Sequence, residues 1–123
     1  MMMLAVAAAT GGQRPALVGY LSKENAIALC AVGPTTRASG VAIDVRKDDP
    51  HAFYDEAPFE VCTADTCDVL GRTVVRIKEL FESYKICEYI IDNLPAGDIA
   101  VQRPPKRAKP GEVVSRYEAP RGE

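Results

Sequence analysis

TCDVLGRTVVRIKELFESYKICEYIIDNL, residues 66–94, decides how this chain folds. Apolar side chains recur at Leu70, Val74, Ile77, Phe81, Tyr84, Cys87 and Ile91, in steps of three and four. That spacing draws one continuous stripe along a helix. Val75, Leu80, Ile86, Tyr89 and Ile90 widen the stripe, while Arg72, Arg76, Lys78, Glu79, Glu82 and Glu88 keep the remaining face polar. Glu82 stands three residues before Lys85 and is its helix neighbour. Asp65, Thr66 or Asp68 can cap the start, and Pro95-Ala96-Gly97 ends the pattern. The pattern predicts a helix over about residues 69–94, roughly 39 Å long at about 1.5 Å per residue. So broad an apolar face on so long a helix requires two or three partner helices in a bundle. The rest of the chain offers one short one.

That short helix is read upstream. Ser22 has the character of an N-cap, and Ala26, Ile27, Leu29 and Cys30 give Lys23 to Cys30 an apolar side, with Gly33-Pro34 as its stop. Before it, ALVGYL (residues 16–21) reads as a strand or packed extended segment, and residues 1–15 as irregular. The opening MMMLAVAAATGG has a short apolar run without basic residues ahead of it, so a secretory signal is not expected. Residues 33–60 are broken by Gly and Pro and hold no long helix; VAIDV (residues 41–45) alternates like a short strand. Downstream, QRPPKRAKPGE reads as a solvated linker, and EVVSRYE (residues 112–118) alternates like a strand. The fold class expected is α+β: mainly α, with one long bundle helix, a short helix at about residues 23–30, and small β-strands.

Composition narrows the function. The 123 residues carry 15 Lys+Arg against 17 Asp+Glu, a net charge of −2, with 47% hydrophobic residues. That balance does not describe a nucleic-acid binder, and the four cations of Arg103 to Lys109 have no interleaved aromatics. No run of 18 apolar residues occurs, so no membrane span is expected. The four cysteines, Cys30, Cys62, Cys67 and Cys87, form no C-x-x-C pair, and read as buried or half-buried reduced thiols. The sole His51 reads as a loop residue.

Three ordered blocks carry a resemblance. RASG-x3-D-x-R followed by Y-D is spelled by Arg37 to Gly40, Asp44, Arg46, Tyr54 and Asp55; the helix phrase GRTVVRIKELFESYKI and then EAPRGE follow in order. Over residues 16–123 the chain resembles an incomplete segment of the large-subunit family of membrane-bound, energy-converting [NiFe] hydrogenases. The same pattern is shared by the D subunit, of 49-kDa type, of NADH–quinone oxidoreductase. The wording of the helix phrase favours the hydrogenase branch. The resemblance implies a fragment of the catalytic large subunit, interconverting protons and dihydrogen within its complex and inactive alone. The alternatives are a fragment of that 49-kDa-type subunit, with quinone-side electron transfer in a complex that binds quinone and NAD, or a non-catalytic interaction module derived from the same fold.

The resemblance also implies partners: the remaining large-subunit segments, an iron–sulfur small subunit and membrane subunits, holding the chain on the cytoplasmic face of the membrane. In the hydrogenases two C-x-x-C motifs hold a nickel–iron centre. This chain has neither, so no cofactor or metal is expected on it, and Cys62 and Cys67, in CTADTC, are not taken as ligands. The candidate cavity or interface residues are Arg37, Asp44, Arg46 and Arg121. A structural use of Arg37, paired with Asp44 or Asp55, stands beside a cavity role. Asp44 and Arg46 share a side of the expected strand, where they would face outside groups together. Arg121 is aimed by the bend between Pro120 and Gly122.

Overall fold

The computed structural model describes residues 18–100, 103, 107 and 110–123. Four helices occur among them: α1 (Lys23–Ala28), α2 (Gly33–Arg37), α3 (Val45–Asp48) and α4 (Val69–Asp92). Each start has a local cause. The Ser22 hydroxyl accepts from the Asn25 N–H to cap α1. Pro34, in the first turn of α2, has no N–H to leave unpaired. Gly33-Pro34 therefore opens a helix as well as following one. The Asp44 carboxylate accepts from the Arg46 N–H ahead of α3, and the Asp68 carboxylate accepts from the Gly71 N–H ahead of α4. Both outer helices stop two residues short of the sequence expectation; after α1, Cys30 turns left-handed at φ +50° and the Ala31 N–H reaches back to the Ala26 carbonyl.

The small β-strands are not found. Among the described residues the one strand-like pairing is an isolated antiparallel bridge between Ala119 and Gly122. VAIDV fails as a strand because its backbone groups are engaged locally. The Ile43 carbonyl accepts from Arg37 Nη1, and Asp44 turns into a helix cap. EVVSRYE runs with Val113 and Val114 exposed and no neighbouring edge to pair with. ALVGYL is a turn over Val18 and Gly19, and its first two residues lie outside the description, as do residues 1–15 and most of the basic linker. In place of a sheet, single backbone hydrogen bonds lace the loops: Leu21 N–H to Cys67 O, Cys67 N–H to Ala38 O, Ala64 N–H to Arg37 O and Val69 N–H to Val18 O.

α4 packs on α2, where Ala38 and Val75 are fully buried, and a second cluster joins Ala57, Phe59 and Ile86 to Tyr54, Tyr89 and Ile90. The buried positions of α4 are Gly71, Val75, Glu82 and Ile86. Val75 and Ile86, which widen the apolar stripe, are the part of it that is covered. Along the stripe itself Leu70, Val74 and Ile77 are half-buried, while Phe81, Tyr84 and Ile91, with Leu80 beside them, are exposed by 53–75%. Among the described residues the other helices are of four to six residues.

Candidate functional site

The site is organised by one buried guanidinium. Arg37, at the end of α2, is 1% exposed, and a charge so far from water needs partners on every donor. It donates from Nε to Glu79 Oε1 at 2.6 Å, from Nη1 to the Ile43 carbonyl at 2.8 Å, and from Nη2 to Glu118 Oε1 at 2.8 Å. Asp44 stands 3.6 Å from Nη1. Arg37 thus ties α4, the cap of α3 and the C-terminal turn to one point.

Asp44 and Arg46 do not face outward together. They face each other: Asp44 accepts from Arg46 N–H, Nε at 2.9 Å and Nη2 at 2.6 Å. Burial pushes the Asp44 carboxyl up, but the Arg46 hydrogen bonds and charge, with the charge of Arg37, outweigh it and hold the group below the usual carboxylate range. The Arg46 guanidinium also lies 5.0 Å from the Phe59 ring centre, which ties the ion pair to the second core cluster.

A cleft of about 790 Å³ opens against this cluster. Arg37, Arg46, Tyr54 and Glu79 line one part of it, and Glu118 to Arg121 another. Arg76 and Arg121 stand exposed in its lining, with no ion pair or hydrogen bond to a described residue. Free guanidiniums in such a place suit the planar oxygens of a carboxylate. The turn that carries Arg121 is seated by glycine. A Cβ on Gly33, whose φ is +67°, would collide with Gly122 Cα.

Of the four residues named from the sequence, Arg37, Asp44 and Arg46 meet directly, and Arg121 joins them across the cleft. Asp55 is exposed and takes no part. Glu79 and Glu118 were missed, although both lie inside the helix and EAPRGE phrases that carry the resemblance. The signal available was the need of a buried Arg for carboxylates. Glu82, three residues further along α4, forms the predicted pair with Lys85 at 2.5 Å.

Two of the four thiols differ from expectation: Cys30 and Cys87 are exposed, whereas Cys62 and Cys67 are half-buried as read from the sequence. Cys62 and Cys67 donate to the nearby carbonyls of Glu60 and Asp65. Among the described residues no group of three or more His, Cys, Asp or Glu is placed to hold a metal ion. No helix among them is long and apolar enough to cross a membrane.

Comparison with known proteins follows the same residues. A sequence model of the family described as respiratory-chain NADH dehydrogenase, 49 kDa subunit, matches residues 2–119. The D subunit of the NADH-quinone oxidoreductase of Dehalococcoides mccartyi strain 195 is 44% identical over 108 residues, covering 86% of this chain and 29% of the relative. That of Desulfitobacterium hafniense Y51 is 46% identical over 108 residues, with the same two coverages. Among solved structures, a chain of the membrane-bound sulfane sulfur reductase, an archaeal respiratory membrane complex, superposes with a TM-score of 0.64 at 38% identity, covering 74% of this chain and 25% of that one. The chain therefore spans less than a third of the length of these relatives.

Proposed function

Because the chain belongs to the 49 kDa subunit family of the respiratory-chain NADH dehydrogenases, we propose that it serves as part of the quinone-side subunit of a membrane-associated oxidoreductase complex. The observation that carries this reading is the family match over residues 2–119, supported by the two bacterial relatives at 44% and 46% identity. The hydrogenase branch, which the helix wording favoured, gives way to its alternative on the same ground. Neither a nickel–iron centre nor a step through one is assigned to this chain.

In this reading electrons reach a quinone from an iron–sulfur partner, and this chain contributes framework and polar surface. The Arg37 cluster fixes α4 and the Glu118–Gly122 turn against each other, which sets the width of the cleft between them. The bare stripe of α4 is covered by the remaining parts of the subunit, and membrane subunits hold the assembly peripherally at the cytoplasmic face. The quinone and NAD sites belong to the assembled complex, and no residue here is assigned to either.

The test is a deletion of this chain in its host, followed by assay of isolated membranes. NADH-dependent quinone reduction falls and returns when the chain is restored in the quinone-side reading. Loss of hydrogen-dependent electron transfer instead, with quinone reduction intact, returns the chain to the hydrogenase branch.

A further inference from the structure

The cleft beside the Arg37 cluster is lined by four guanidiniums, Arg37, Arg46, Arg76 and Arg121, and by two carboxylates, Glu79 and Glu118. The carboxylates are already engaged. Glu79 accepts from Arg37 Nε and Glu118 from Arg37 Nη2, while Asp44, behind the lining, is held by Arg46. None of the three pairs with Arg76 or Arg121. Those two come from separate elements, α4 and the C-terminal turn, and have no ion pair or hydrogen bond to a described residue. The Tyr54 hydroxyl, also in the lining, has no hydrogen-bond partner among the described residues. The Ser83 hydroxyl differs, since it donates to the Glu79 backbone carbonyl at 2.8 Å.

Charge decides what these donors take. Counted in their ordinary ionised forms, the four guanidiniums exceed Asp44, Glu79 and Glu118 by one positive charge. A group with a single negative charge brings the cluster to zero, whereas a phosphate monoester, close to doubly charged at neutral pH, overshoots it. The whole chain has a net charge of −2, so the positive cleft is a local feature and not part of a generally basic surface. At about 790 Å³ the cavity has the size of a small-ligand site, and Leu80, Ala119 and Pro120 give it an apolar part. We propose that the cleft is a carboxylate-binding site, with the Arg76 and Arg121 guanidiniums as its cationic donors and the Tyr54 hydroxyl as a third. Each guanidinium offers a planar fork of N–H groups that matches the two oxygens of a carboxylate. Two sources supply that group: an Asp or Glu of another polypeptide segment in the assembly, or a free monocarboxylic acid. The site is the same whichever electron acceptor the complex serves.

The test uses the full chain in its native assembly, with phenylglyoxal as an arginine-selective modifier and mass spectrometry as the readout. Arg107, exposed and outside the cleft lining, gives the reference rate. Arginines holding a carboxylate react at least about tenfold more slowly, since a charge-assisted hydrogen bond must first be given up. Protection of Arg76 and Arg121 with nothing added is the result expected of a polypeptide carboxylate. Arg76→Lys treated with a carbodiimide then forms an amide with an Asp or Glu other than Glu79 and Glu118, and Arg121→Lys repeats that reading from the C-terminal turn. Both arginines are exposed, so their lysine variants are expected to fold. Protection that appears only with added benzoate, and is weaker with inorganic phosphate at the same concentration, is the result expected of a free acid. Either arginine reacting at the Arg107 rate in every condition overturns the proposal. So does protection with nothing added but no such amide from either lysine variant, or phosphate protecting as well as benzoate.

Discussion

At the scale of the residue, Arg37 does what a buried cation must. It is 1% exposed and distributes its donors over three segments separated by up to 81 positions in sequence. Arg37→Met would leave Asp44, Glu79 and Glu118 without their common counter-charge, and removing one partner of a buried ion pair costs about 3–5 kcal/mol. A denaturant titration of the assembled chain should find a loss of that size. Arg37→Lys should recover only part of it, because an ammonium lacks the planar fork that meets Glu79 and Glu118 side by side. Asp44 gives the pH dependence. Its folded value is depressed, so its stabilisation is complete above the ordinary value of about 3.9 and is lost as pH falls through the depressed one. Asp44→Asn should therefore flatten the acid limb of stability against pH. Arg37, Asp44 and Arg46 were legible because one short block holds them. Glu79 and Glu118 were not, because each alone reads as polar surface, and only the fold brings them to Arg37 across 42 and 81 residues.

At the scale of the element, α4 was legible almost to its ends, since period and caps agree over 24 residues. What periodicity did not show is which face is covered. The later half of the regular stripe, from Phe81 on, stays bare, and the face holding Gly71 and Val75 is the one that meets α2. Gly71 illustrates the difference. In an open helix Gly→Ala gains up to about 1 kcal/mol. Here the added Cβ would run into Thr66 Oγ1, which donates to the capping Asp68 carboxylate. Gly71→Ala should lower the thermal midpoint, and adding Thr66→Ala should restore most of the loss. Asp68→Ala, which removes the cap, should cost about 1 kcal/mol by the same melts. Gly33→Ala meets backbone at Gly122 and cannot be relieved by a side-chain shift. Strain of about 1–3 kcal/mol should appear there as loosening of the Glu118–Gly122 turn, seen as faster amide exchange of Gly122. The small strands misled because alternation marks a strand only where a neighbour offers an edge, and VAIDV spends its backbone groups on a local turn and on Arg37 instead.

At the scale of the whole molecule, ion pairs and single hydrogen bonds position the segments, and a large apolar surface stays open. Leu80, Phe81, Tyr84 and Ile91 on α4, with Ile27 on α1 and Leu29 at its end, are large apolar side chains more than half exposed. This apolar excess was visible in the sequence as a helix too apolar for the helices around it. The branch of the family was not, because the motifs that carry the resemblance are common to both branches. The most direct measurement is the native size of the tagged chain solubilised gently from host membranes. The account predicts migration in a particle far larger than its own 13.3 kDa, together with the quinone-reducing activity. A cooperative 13.3 kDa monomer found apart from membranes, with that activity elsewhere, would contradict it.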